Sequence, residues 1–116
     1  MISKKMSQDS VYLAYITLPA ASDPVELAYK FVDSGLCAGM NILGPGQSVY
    51  FWQGKTRKAE EWIIFAQVSK ENMAAFTEAL AESHPYIVPC IMGFSPTAGY
   101  SPFLAWIQDP AQSGGE

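Results

Sequence analysis

Residues 11–18 are apolar at almost every position and rich in aromatic and β-branched side chains. That pattern predicts a strand covered on one or both faces, and Pro19 helps to end it. Asp23, Pro24 and Glu26 then mark a helix start: Asp23 suits the N-cap, Pro24 the first helical position, and Glu26 completes a capping box. Ala28, Phe31, Val32 and Gly35 recur at i, i+3, i+4 and i+7, while Glu26 and Lys30 sit four apart on the other side. The helix is therefore amphipathic and finishes near Gly35.

Residues 38–43 form a short apolar run that Gly44-Pro45-Gly46 interrupts before Ser48-Val49-Tyr50-Phe51-Trp52 resumes it. The spacing predicts one long strand with a kink or two strands on one line, because glycine within a strand pattern marks a bulge or bend. A turn over 54–57 and an apolar return over 61–68 make 47–68 a hairpin with an aromatic ladder. Ser69 caps a second helix, with Met73, Phe76 and Leu80 on one face and Glu71, Glu78 and Glu82 on the other. Pro85 stops that helix and biases His84 toward an extended backbone. A fourth strand is predicted over 86–94, at an edge, bulged or curtailed, since Pro89 inside it cannot donate to a ladder. Residues 100–108 predict a terminal helix or irregular amphipathic segment, stopped by Asp109-Pro110.

The order β, α, β, β, α, β and a last helix fits the α+β class. Right-handed crossovers give a four-stranded antiparallel sheet with both helices on one face, a ferredoxin-like βαββαβ sandwich with an additional C-terminal helix. One domain over 11–109 is expected, between a flexible N-terminal arm over 1–10 and a flexible tail over 110–116. In this scheme the second sheet face lacks a cover. Its aromatic side chains, among Tyr50, Trp52 and Trp62, call for the terminal segment, a neighbouring subunit, or both.

Composition strengthens the case for a neighbour. With 49 % hydrophobic and only 16 % charged residues, a lone chain of 116 residues has a thin polar surface, which points to an oligomer. The net charge of -4, with basic residues scattered apart from Lys55, Arg57 and Lys58, gives no footprint for nucleic acid. No run approaches the roughly 18 to 20 apolar residues of a membrane span. The first ten residues carry two lysines but no apolar stretch ahead of a cleavage site, so a cytoplasmic protein with no membrane partner is expected.

The candidate chemistry gathers around residues 83–91, which hold the single histidine, His84, and one of two cysteines, Cys90. Neutral imidazole and thiolate suit copper and zinc, so His84, Cys90 and Cys37 are candidate metal ligands. In an extended strand positions 84 and 90 lie roughly 20 Å apart, so a shared ion needs a sharp bend or a second subunit. His84 can equally bond the last carbonyls of a helix or touch a small molecule, and the cysteines can be buried thiols, as they lack CxxC spacing. Tyr50 and Trp52, with Glu61, Gln67 and Tyr86, make a candidate ligand or interface cleft. Lys55, Arg57 and Lys58 read as a solvated loop. Glu60 and Glu61 are adjacent and point to opposite sides of a strand, and there is no phosphate loop or GxSxG, so no catalytic residue is assigned and an enzyme is not expected.

Several blocks in order resemble the CutA-type divalent-cation tolerance proteins: Thr17 and Pro19, Leu36 and Ala38, Asn41-Ile42, Ser48, Tyr50, Trp52 and Gly54, Glu61, then His84-Pro85-Tyr86 with Pro89, and Leu104-Ala105-Trp106. The resemblance runs from about 11 to 107. It implies a homotrimer in which long strands of one subunit extend the sheets of the next, and a role in tolerance of copper or another divalent cation. Three positions depart from the family pattern: Gly39 stands where a cysteine is common, Gln67 where lysine is usual, and Cys90 where glutamate is usual. The function expected is binding of a metal ion or small ligand at subunit clefts. The alternative is a trimeric scaffold, signalling or partner-binding protein with no metal role.

Overall fold

The apolar run at the start becomes the strand β1 (Val11–Pro19), and it is apolar on both faces because it lies inside the sheet. The computed structural model describes residues 10–111; the arm and tail expected at the two ends fall outside these, save Ser10, Pro110 and Ala111. The further elements are α1 (Pro24–Asp33), β2 (Gly39–Trp52), β3 (Lys55–Ser69), α2 (Met73–Ser83), β4 (Ile91–Phe94) and α3 (Ser101–Gln108), with one 3-10 turn at Lys70–Asn72 before α2. The sheet order is β2-β3-β1-β4 and every pair is antiparallel. This is the ferredoxin-like arrangement expected, with α3 as the extra element.

Local chemistry explains the boundaries. The Asp23 carboxylate accepts from the Glu26 N–H at 3.1 Å and Pro24 opens α1. At the other end Gly35, at φ +80°, lets its N–H reach the Val32 carbonyl and that of Leu36 reach Phe31, the paired bonds of a Schellman motif. Ser69 accepts from the Asn72 N–H and so caps the 3-10 turn that leads into α2.

Even-numbered residues of β1 and β3, Ala14, Ile16, Leu18, Ile64, Ala66 and Val68, form the main core against Phe31, Phe76 and Leu80 of the two helices. Phe31 and Phe76 meet edge to face at 5.5 Å. Trp62 belongs to this side too, its indole N–H donating to the Ala20 carbonyl, so it is not one of the aromatics in need of a cover. On the opposite face α3 seals one end, with Leu104 and Ile107 against Val11 and Ala38. The rest of that face is left open.

Three expectations need correction. The hairpin turn is Gln53-Gly54, not 54–57: both residues have positive φ, at 51° and 84°, as a two-residue turn matched to the sheet twist demands. Lys55, Arg57 and Lys58 therefore lie on β3 rather than in a loop, and Arg57 Nε donates to the Trp52 carbonyl at 2.8 Å. The kinked reading of β2 holds, as one continuous strand with a bulge between Leu43 and Gly46. Finally, β4 is limited to four residues, because Pro85 and Pro89 keep 85–90 out of the ladder and the chain bends there instead.

Candidate functional site

The bulge in β2 decides which of its side chains share a face with Glu61. Before it, odd residues of β2 stand opposite odd residues of β3, as Gly39 with Gln67 and Leu43 with Ile63. After it the pairs are Gly46 with Glu61 and Ser48 with Ala59, so even residues of β2 take that face. The extra residue thus brings Ser48, Tyr50 and Trp52 onto the same open face as Asn41 and Leu43.

Glu61 is the centre of the arrangement and is only 6 % exposed. The Ser48 hydroxyl donates to its Oε1 and the Tyr86 hydroxyl to its Oε2, each at 2.6 Å. Bonds this short are charge-assisted and hold both partners in place. Burial, reinforced by the Glu61 carboxylate and by Tyr50, pushes the Tyr86 phenol well above its ordinary range, so it stays a donor.

Thr17 of β1 ties the 84–90 segment to the same place. His84, at the C-cap of α2 and 8 % exposed, reaches the Thr17 carbonyl through Nε2 at 2.8 Å, and its Nδ1 accepts from the Tyr86 N–H at 3.1 Å. A ring nitrogen that accepts from an N–H carries no proton, so the proton sits on Nε2 and is donated to Thr17. Its ring therefore reaches across to β1 and not back to the last carbonyls of α2. The Cys90 thiol lies beside the Thr17 side chain. Burial pushes that thiol up, the Thr17 side chain offsets part of the rise, and the Glu61 charge adds to it. The bend at 85–88 replaces the extended path expected for this segment and brings both His84 and Cys90 to Thr17.

Thr17, Ser48, Glu61 and Cys90 border a cleft of about 670 Å³ that His84 does not line, with Tyr15, Tyr50, Trp52 and Tyr86 as aromatic walls and Ile87 and Val88 also lining it. Of the candidate cleft residues, Tyr50, Trp52, Glu61 and Tyr86 are brought together and Gln67 is not. Gln67 lies six residues along β3, beneath α3, where its Nε2 donates to Asn41 Oδ1 at 2.8 Å. A Cβ on Gly39, directly opposite, would stand 2.8 Å from Gln67 Oε1 and 3.3 Å from Trp106 Cη2. Positions 39 and 67 thus belong to one packing arrangement.

Cys37 is also apart, in the helix-side core at 5 % exposure. Burial pushes its thiol up to about 11, less a smaller lowering by the Gly39 backbone. Among the described residues no group of three or more His, Cys, Asp or Glu side chains is placed to hold a metal ion. Within one chain the fit to a bound metal is therefore poor: His84 has both nitrogens engaged, and Glu61 and Cys90 are the donors left at the cleft. Ser48, Thr17 and Tyr15 were not among the site residues read from sequence. The signal for Ser48 was the glycine pair of the bulge, but its effect on side-chain direction depends on pairing to β3.

The family model of the CutA1 divalent ion tolerance protein matches residues 12–110. The divalent-cation tolerance protein CutA of Archaeoglobus fulgidus is 29 % identical over 98 residues, covering 84 % of this chain and 95 % of that one. The solved structure of the periplasmic divalent cation tolerance protein CutA from the same organism superposes with a TM-score of 0.79 at 28 % identity, over 85 % of this chain and 96 % of that one. CutA1 from Oryza sativa superposes at 0.81 with 25 % identity, over 97 % and 99 % of the two chains. Fold, strand order and sequence match agree: this chain belongs to the CutA1 divalent ion tolerance protein family.

Proposed function

We propose that this protein is a non-enzymatic homotrimer of the cytoplasm that takes a small ligand or a divalent cation, copper included, in clefts between subunits. The observation that carries this reading is the Glu61 cleft itself: a buried carboxylate oriented by two hydroxyls opens onto an uncovered face of the sheet. Assembly is supported by the exposed apolar side chains on that face, Leu43, Met92 and Phe94, and by Phe51, 71 % exposed at the tip of the β2–β3 ribbon. The family resemblance supplies the number three. No helix of the described residues is long and apolar enough to cross a membrane.

The donor set favours a small ligand over a bare metal held by one chain. A divalent cation in the cleft takes Glu61 and Cys90 from one subunit and its remaining donors from the next. Sedimentation at micromolar concentration, with Cu(I) and Cu(II) titrations of the wild type, His84→Ala and Cys90→Ser, tests both parts. The expected result is a mass of three chains and copper affinity that falls in Cys90→Ser. A monomer mass defeats the assembly, and affinity unchanged in both variants removes these residues from any metal site.

A further inference from the structure

The lining of the Glu61 cleft has an unusual charge pattern. Among the described residues of one chain, Glu61 is its one acidic residue, and no lysine, arginine or histidine lines it. The Ser48 and Tyr86 hydroxyls orient the carboxylate without cancelling its charge, since both are neutral donors. Each carboxylate oxygen has a second lone pair, so acceptor capacity remains after these two bonds. A buried charge in this condition is completed by a cation.

The shape and walls select the kind of cation. Four aromatic side chains, Tyr15, Tyr50, Trp52 and Tyr86, surround the carboxylate side, and the faces of such rings attract a positive charge that is weakly hydrated. A cleft of about 670 Å³ is in the range that holds an organic molecule and far exceeds a single ion. Ile87, 87 % exposed, and Val88 offer apolar surface for carbon substituents. A small divalent metal would gain nothing from rings or alkyl contacts and needs several donors at once.

We infer that the Glu61 cleft binds a monovalent organic ammonium ion, seated between the Tyr50, Trp52 and Tyr86 rings with its charge on Glu61. This rests on the reading above that the cleft takes a ligand, and it names the chemical class. Quaternary ammonium and protonated alkylamine share the recognised features; the amine adds an N–H donor for the free lone pairs of Glu61, while the quaternary ion relies on the rings.

Isothermal titration calorimetry on the full chain tests it with choline, n-butylammonium, Cu(II), and 3,3-dimethylbutan-1-ol, the uncharged carbon isostere of choline. At least one ammonium ion is expected to bind, and more tightly than the isostere by about tenfold or more. Glu61→Gln and Trp52→Leu are each expected to weaken it by a similar factor, with thermal melts run beside them to show that both variants fold. The comparison of choline with its isostere on the wild type needs no variant and stands by itself. Equal binding of choline and the isostere, or binding unaffected by both variants when folded, overturns the inference. If Cu(II) or the uncharged alcohol binds in a Trp52-dependent way while neither ammonium ion does, the cleft is a ligand site and only its assigned class fails. If no probe binds, both readings fail together.

Discussion

Two polar clusters share one face of the sheet, and they have opposite characters. At one end Glu61 is bonded by two hydroxyls beside an open cleft. At the other, Gln67, close to Trp106 of α3, bonds the exposed Asn41 in a neutral amide pair. Both clusters are built on the same β2–β3 ladder, from either side of the bulge. The difference lies in what covers them. Beside α3 the buried Gln67 amide has its partner in the exposed Asn41, and such a neutral pair satisfies itself at little cost. At the open end the charge keeps access to solvent or ligand. A polar cluster on this face is therefore a site only where the terminal helix does not reach.

The sharpest way to break the comparison is to remove the bulge that orients the open end. Gly44 has φ +110°, and a Cβ there would meet Gly46 N at 2.8 Å and Glu61 O at 3.2 Å, both backbone atoms that no rotamer change can move. Gly44→Ala is expected to cost about 3 kcal/mol or more and to abolish ligand binding, as Ser48 loses its place beside Glu61. Gly46→Ala is the control, because its Cβ would lie 3.8 Å from Ile63 Cδ1, an ordinary contact, and is expected to change stability by less than about 0.5 kcal/mol. Urea melts of the two variants decide it: equal losses would show that the bulge does not set the cleft.

That dependence also explains what could be read in the sequence and what could not. Asp23-Pro24 and the Phe31, Phe76 and Leu80 periodicities are local signals, and α1 and α2 stand where they place them. The start of β3 was misplaced because Gln53 takes a positive φ that glycine would have advertised. Pro89 signalled the curtailed β4, yet the bend that unites His84 and Cys90 is fixed through Thr17, 67 residues before His84. No spacing within 84–90 carries that contact. Gln67 is singled out through the family resemblance; it shares the strand parity of Glu61, and six residues along β3 place it by α3 instead of in the cleft.

The two thiols provide a second contrast, with a pH dependence in the helix-side core. Cys37 is raised from an ordinary 9.0 to about 11 by burial. Between those values the unfolded thiol has lost its proton while the native one keeps it, so the native state binds more protons and stability falls as pH rises. The contribution is fully present below pH 9 and is lost as pH climbs through about 11. It amounts to about 2 to 3 kcal/mol. Melting wild type and Cys37→Ala from pH 8 to 11 isolates it, since Tyr86 and Cys90 are common to both. The variant is expected to show the shallower alkaline decline, and parallel curves would mean that Cys37 is not held as a thiol by the fold.

The smallest effect tests whether Gly39 and Gln67 form one unit. An alanine in a strand normally gains about 0.5 to 1 kcal/mol over glycine by restricting the unfolded chain. At position 39 its Cβ would instead press on Gln67 Oε1 at 2.8 Å, and the amide can yield only by loosening its bond to Asn41, with Trp106 closing the other side at 3.3 Å. Gly39→Ala is thus expected to destabilise by about 1 kcal/mol in the wild type, the net worth of one such bond. In a Gln67→Ala background the obstruction is gone, and the same change is expected to stabilise. A thermal double-mutant cycle reads the difference as a coupling of about 1 to 2 kcal/mol. Additive effects would mean that the amide moves aside freely and that the sealed end is no more constrained than the open one.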